Sequence, residues 1–434
     1  MKPLTAVLLG AGSRGARSYA PYALDYPHEL KIVAVAEPDK ERREKFAQEH
    51  HIPAEQCFAS WEEVLEQPQL ADIMMICTQD RMHHEPTIQS LNKGYHVLLE
   101  KPMSPDPREC IEMEQAAKEN NRLLTICHVL RYTPFWSTVK RIIDEGRIGE
   151  VASIQLNENV GYWHIAHSFV RGNWNNSDTS SPMILSKSCH DMDILSWLMD
   201  QPCVRVSSYG SLMHFHSGNA PEGSADRCLD GCAVEAQCPY SAPRFYLGDG
   251  KGWAWHFTQD ASREAIVKGL QTSPYGRCVY KSDNNVVDHQ VVNMEFANGA
   301  TATFSMCGFT MEQERIIQIM GTKGQISGHD DKIVVHDFVT KEKNEISIHV
   351  PSSGHGGGDA GVMSSFISEV RTYTGGESLT SAAASVRSHL MAFAAEESRL
   401  NKGRSIEIAE FGKHIMAASS VRKDRSIGYR ETSK

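Results

Sequence analysis

Gly10-Ala11-Gly12-Ser13-Arg14-Gly15 follows directly on the apolar run Ala6-Val7-Leu8-Leu9, and a second apolar run, Ile32-Val33-Ala34-Val35-Ala36, ends in Glu37. This order of strand, glycine turn, helix, strand and acid predicts a dinucleotide-binding unit. Gly10 allows the tight turn, Gly12 lets the backbone approach a pyrophosphate, and Gly15 lets the helix pack on the strand. The helix start, at Ser13 and Arg14, offers free N–H groups and a partial positive charge to phosphate. Glu37 would accept hydrogen bonds from ribose hydroxyls and repel a 2′-phosphate, which favours NAD over NADP. Arg42 and Arg43, a turn further on, weaken that preference.

A second group of residues could carry the reaction. Thr78-Gln79-Asp80-Arg81-Met82-His83 stands at the carboxyl end of the apolar run Asp72–Cys77, and Glu100-Lys101-Pro102 ends the run Tyr95–Leu99. Ligands bind at that end of a doubly wound sheet, so Thr78, His83, Glu100 and Lys101 are candidates to meet a cofactor. Hydride transfer from a carbinol needs its carbon held against a nicotinamide and a group to take the hydroxyl proton. Lys101 at a strand end can polarise that oxygen or relay its proton. Lys187-Ser188-Cys189-His190-Asp191 adds a second constellation, in which Lys187 and His190 share a helical face. Asp191 and Asp193 charge the first turn of the helix running to Met199, with Asp191 also placed to meet a substrate. Tyr162, Trp163, His164, Arg171 and Trp174 crowd one short segment; aromatic faces suit sugar rings, and His or Arg suits hydroxyls. Arg131, with Tyr132, is a similar candidate.

These residues need a scaffold, and 434 residues suit two domains. Residues 1–128 alternate strand and helix, as a parallel sheet requires. After Val129 the pattern changes to strands at Val151–Val160, Val204–Met213, Val286–Phe296, Thr301–Cys307, Ile316–Met320, Lys332–Phe338 and Glu345–Val350. Residues 129–434 therefore read as an α+β domain with an open, mainly antiparallel sheet. Thr380–Asn401 is an amphipathic helix with Val386, Leu390, Phe393 and Ala394 on one face. Residues 219–276, rich in Gly, Pro and Cys, read as an ordered, loop-rich insertion. No apolar stretch approaches the ~20 residues that span a bilayer. The chain opens on a strand rather than a secretion signal, which predicts a cytoplasmic protein. A net charge of −10 disfavours nucleic acid or anionic membrane as partner.

The glycine turn with Glu37, Thr78…His83, Glu100-Lys101-Pro102, Gly149-Glu150 and Ser188–Asp193 together resemble the Gfo/Idh/MocA family of NAD(P)-dependent sugar and polyol oxidoreductases. The resemblance covers nearly the whole chain. It implies a Rossmann domain and an open-sheet second domain. It also implies a lysine, here Lys101, reaching towards nicotinamide ribose and substrate hydroxyl, and a histidine, here His190, as proton acceptor. Family members commonly carry aspartate four residues before that histidine. This chain has Ser186 there, so Lys187 takes over the role or the site does different chemistry. The family usually covers the open sheet with another subunit, which implies a homodimer or homotetramer. The run His355-Gly356-Gly357-Gly358-Asp359 resembles a motif in NAD-dependent glycosidases of this fold, which oxidise a ring hydroxyl transiently and recycle NAD in place. Three readings follow: a dehydrogenase acting on a sugar, polyol or sugar derivative; such a glycosidase; and a non-catalytic NAD-binding redox sensor, which no DNA-binding module supports.

Most of the eleven cysteines read as small buried hydrophobes in a reducing compartment. Cys228, Cys232 and Cys238, with Cys278, differ. Four thiolates could hold a structural zinc and stiffen a segment with little core; free thiols or a disulfide are the alternatives.

Overall fold

The apolar runs of the first 128 residues form one parallel sheet in the computed structural model, which describes residues 2–352 and 354–417. Its strands are β1 (Leu4–Leu9), β2 (Leu30–Ala36), β3 (Cys57–Phe58), β4 (Ile73–Ile76), β5 (His96–Leu99) and β6 (Leu124–Ile126). Their order is β3-β2-β1-β4-β5-β6, every pair parallel, so the winding reverses between β1 and β4. Helices cover both faces of such a sheet, which is why the central strands are apolar without alternation. Val7, Leu8, Leu9, Met74, Met75 and Ile76 are fully buried. The helix after the glycine turn starts as one wide π-turn, Ser13–Tyr19, and continues as the short helix Pro21–Asp25. Pro21 has no N–H with which to carry a regular ladder through.

The second sheet holds β7 (Val151–Asn159), β8 (Cys203–Ser211), β9 (His289–Phe296), β10 (Thr301–Cys307), β11 (Glu314–Gly321), β12 (Gly324–His329), β13 (Lys332–Asp337), β14 (Lys343–Ser347) and β15 (Ile406–Glu407). They run β14-β13-β12-β11-β7-β10-β9-β8-β15, antiparallel except for β7 beside β10. Its outer face exposes Gln155, Asn157, Asn293, Thr301, Thr303 and Gln318, amides and hydroxyls rather than an apolar stripe.

The long helix is Ala382–Leu400, capped by Ser381, whose hydroxyl accepts from the Ala384 N–H. A single buried face is expected, yet Ala384, Ser385, Ser388, His389 and Ala395 are buried as well. The helix is wedged between β8, the helix Pro107–Glu119 and the helix Cys189–Met199, so it touches protein nearly all round. Residues 219–276 have a core of their own in Ala242, Tyr246, Ile266, Leu270 and Tyr275. Among the described residues no helix is long and apolar enough to cross a membrane.

Candidate active site

The three glycines of the turn differ in what forbids a side chain. Gly10 has φ +90, and a Cβ there would lie 2.6 Å from the Cys77 carbonyl oxygen. A Cβ on Gly15 would run into the carbonyl of Gly10, whereas one on Gly12 would meet nothing within 4 Å. Two glycines are thus required by the fold, and the third opens an empty cradle before the helix start. That cradle fits a pyrophosphate. Glu37 is buried; its carboxylate accepts from the Ala11 N–H at 2.9 Å and the Asp39 N–H at 3.0 Å, which aims it at the turn. Arg43 donates to the Glu37 carbonyl, and Arg42, whose N–H is capped by Asp39, stands in the first turn of the same helix. These residues fit the ribose and phosphates of NAD. Thr78 Oγ1 donates to the Met82 carbonyl at 3.2 Å and shapes the neighbouring turn.

Beneath the turn, Arg14 pairs with Glu100 at 3.0 Å and with Asp359 at 2.8 Å. Glu100 also accepts from Tyr19 at 2.6 Å and from the Lys101 N–H at 3.1 Å. Burial pushes the Glu100 carboxyl up, but Arg14 and Lys101 outweigh it and hold it below its ordinary value. The Lys101 ammonium crosses to the second domain and donates to the Ser186 carbonyl at 2.7 Å.

His190 faces that ammonium from the first turn of the helix Cys189–Met199. It is 5 % exposed and its Nδ1 has no hydrogen-bond partner among the described residues. Burial, then the charges of Lys101, His128 and His355, push its pKa well below the ordinary value. The ring is therefore neutral, with its Nδ1 unengaged. Lys187 is not free: its ammonium lies 2.8 Å from Glu158, which also pairs with Arg315 at 2.8 Å. Arg315 in turn holds Asp191 at 2.7 Å, and burial raises the Asp191 carboxyl to about 6. Lys187 thus serves a buried ion-pair network instead of replacing the aspartate as a relay. Asp191, fully enclosed, serves the same network rather than a substrate.

Tyr162, Trp163 and His164 stay half-buried at this centre. His164 stacks on Trp163 at 5.4 Å and lies 5.3 Å from Trp253. Burial and then Lys187 lower its pKa, so it too stands neutral beside the cations.

Several expected contacts lie elsewhere. His83 is fully buried with its ring nitrogens on the carbonyls of Pro102 at 2.8 Å and Thr78 at 3.1 Å, so it ties β4 to β5 rather than meeting a cofactor. Arg131 forms a bidentate pair with Asp193 at 2.7 and 2.6 Å and donates to the Leu379 carbonyl, an interior staple. Arg171 donates to the carbonyls of Arg277 and Tyr240, both at 2.7 Å, and so fastens the insertion. Trp174 donates to Asp80 at 3.2 Å, linking the two domains. Cys228, Cys232, Cys238 and Cys278 do line one small cavity beside Arg171. All four are free, and no three of their sulfurs gather within 4.8 Å. Among the described residues only Glu314, His329 and Asp330 have that spacing, at the adjoining ends of β11 and β12. The expected zinc is not supported; the insertion's apolar core supplies the stiffness instead.

Glu158 and Arg315 were not legible as site residues from local motifs. Their signal is parity. Glu158 follows Ile154 and Leu156 on the inward side of β7, and Arg315 precedes Ile317 and Ile319 on that of β11. The two stand directly opposite each other in the ladder. A charge at a core position must be paired. The glycine run places His355 against Asp359 at 3.0 Å, with its ring 6.0 Å from His190.

Comparison with known proteins agrees with this geometry. Residues 4–128 match the model of an oxidoreductase family with an NAD-binding Rossmann fold, and residues 140–403 match that family's C-terminal alpha/beta domain. The chain is 25% identical over 363 residues to a Bacillus subtilis (strain 168) protein named as an oxidoreductase, YteT, covering 76% of this chain and 80% of that one. It is 27% identical to an inositol 2-dehydrogenase of Streptomyces avermitilis, over 51% of this chain and 60% of the relative. Two solved structures share the fold over 94% of this chain and 99% of theirs. One is levoglucosan dehydrogenase with NADH and levoglucosan (17% identity, TM-score 0.69). The other is an oxidoreductase from Agrobacterium radiobacter with NAD+, L-tartaric acid and magnesium (15% identity, TM-score 0.68).

Proposed function

The chain belongs to the Gfo/Idh/MocA family of oxidoreductases, and from that premise we propose that it transfers a hydride between a secondary hydroxyl of a sugar, polyol or sugar derivative and NAD. The observation that carries this reading is the meeting of Lys101, from the Rossmann domain, with the neutral His190 of the second domain. Bound NAD would supply the hydride acceptor. Lys101 keeps two ammonium protons beyond the one given to Ser186 and can hold the reacting oxygen with them. His190 takes the hydroxyl proton on its unengaged nitrogen. Trp163 and His164 offer a flat wall against which a sugar ring packs. Glu37 makes the cofactor NAD rather than NADP, because a buried carboxylate facing a phosphate is costly. Equal affinities for the two by calorimetry would exclude that preference.

The test of the reaction is a panel of sugars, sugar acids and nitrophenyl glycosides with NAD. A substrate that accumulates NADH, read by its near-ultraviolet absorbance, supports net oxidation. The second reading rests on His355, 6.0 Å from His190, as an additional acid or base. It predicts release of nitrophenol with no net NADH. Neither product from any member of the panel would overturn both. We place the protein in a reducing, cytoplasmic setting, in keeping with its free cysteines. Assembly through the second sheet as a dimer or tetramer is part of this reading, and light scattering that finds a monomer removes it.

A further inference from the structure

The insertion does more than pack on its own core: one of its segments reaches the domain that holds the glycine turn. Trp163, at the candidate centre, lies 5.3 Å from Trp253. Trp253 stacks on His256 at 5.7 Å with the rings 9° apart, and His256 stacks on Trp255 at 3.9 Å. The row ends where the Trp255 ring lies 4.5 Å from the guanidinium of Arg17. Arg17 stands one turn after Arg14 in the helix opened by the glycine turn. Arg42, on the helix Lys40–Glu49 that follows Glu37, is close enough for its charge to act on His256. The pKa of His256 is lowered by burial first, and also by the charges of Arg17 and Arg42. Arg42 acts on Tyr275 of the insertion too. The insertion therefore spans from the substrate side to both helices that frame the adenosine half of a dinucleotide.

We propose that the insertion is part of the cofactor site: Trp255 and His256 close over the adenosine half of bound NAD, with Arg17 and Arg42 beside it. The chemistry matches on each count. A purine presents π faces that indole and imidazole stack on. Arg17 holds the indole in place by a cation–π contact and can turn its remaining N–H groups to ribose or phosphate. Arg42 supplies a second guanidinium. Because the Trp255–Arg17 contact ties the insertion to the Rossmann domain across the site, it must part for the dinucleotide to leave. Release of the cofactor is then limited by the insertion rather than by the glycine turn.

The experiment uses the full-length protein and NADH alone. Stopped-flow displacement of NADH by excess NAD gives the dissociation rate, and excitation of tryptophan gives the energy transferred to bound NADH. Trp255→Ala is expected to speed dissociation by about tenfold and to cut the sensitised emission. Trp255→Phe, which keeps a ring, is expected to restore slow release while still losing the emission. Unchanged thermal unfolding of the cofactor-free variants shows that they fold. A dissociation rate in Trp255→Ala equal to that of the parent protein overturns the proposal, as does full sensitised emission in that variant. The inference rests on dinucleotide binding and not on the hydride chemistry. Slow, Trp255-dependent release without any turned-over substrate would leave it standing and remove only the proposed reaction.

Discussion

The glycine turn and the interdomain centre are two sides of one cleft, built on opposite principles. In the turn, backbone shape decides: Gly10 and Gly15 are fixed by carbonyls a side chain would strike. In the centre, charge decides: Glu158, Asp191, Lys187 and Arg315 are largely withdrawn from water and pair with one another. The difference teaches where each is fragile. A turn of this kind fails by gaining atoms, and a buried ion network fails by losing a partner.

The largest effect should follow from breaking the network. Arg315→Met leaves Glu158 and Asp191 with one cation between them, and should lower the unfolding free energy by about 3–5 kcal/mol. Denaturant titration checks this, and a change under 1 kcal/mol would mean that the network is not structural. Next in size are Lys101→Ala and His190→Ala, each expected to reduce turnover on the identified substrate by at least ~100-fold. NADH binding by His190→Ala should stay near the parent value. Normal turnover in that variant would remove the proton-transfer role.

The turn offers a sharper contrast within itself. Gly15→Ala should cost about 1–3 kcal/mol of stability, because the new methyl meets backbone. Gly12→Ala should leave stability within ~0.5 kcal/mol and weaken NAD binding by about tenfold. Loss of stability at Gly12 would show that the cradle is not open. The most gradual effect, spread over pH units, is on acid stability. Burial holds the pKa of His128 at about 4 and that of His389 at about 3. Both lie below the ~6.5 of an unfolded chain, which therefore takes up protons first as pH falls. Stability is complete above about 6.5 and drops from there towards 4, by up to ~1.4 kcal/mol per pH unit for each histidine. Thermal melts of His128→Gln across that window should show a slope shallower by about one proton; an unchanged slope would mean that His128 is protonated in the fold.

The same contrast explains what could be read in the sequence. The Rossmann half was legible because each strand is a continuous apolar run and its chemistry follows in the next few residues, as Gly10–Gly15 follow Leu9. Lys101 stands out in the same way, directly after β5, whereas His190 opens a helix and was marked by the family resemblance instead. Strand β12 was not, because Gly324 and Gly328 interrupt its apolar signal and it reads as an extension of the turn. Arg131 and Arg171 looked like substrate ligands because a lone arginine says nothing of its partners. Those partners, Asp193 and the carbonyls of Tyr240 and Arg277, lie 62 to 106 residues away. Glu158 and Arg315 were visible only as breaches of strand alternation, a pattern that needs the strand before the residue has meaning.

The pairing within the cleft has a consequence for how ligands arrive. Arg14, Lys187 and Arg315 pair with Glu100, Asp359, Glu158 and Asp191, and the Lys101 charge acts on Glu100 as well, four cations against four carboxylates. Although the whole chain carries −10, the mouth of the centre projects almost no field of its own. An uncharged polyhydroxyl compound then gains nothing from electrostatic steering, and its capture rate should be flat in ionic strength. Selection at this mouth falls to shape and hydrogen bonding, made at contact rather than at a distance.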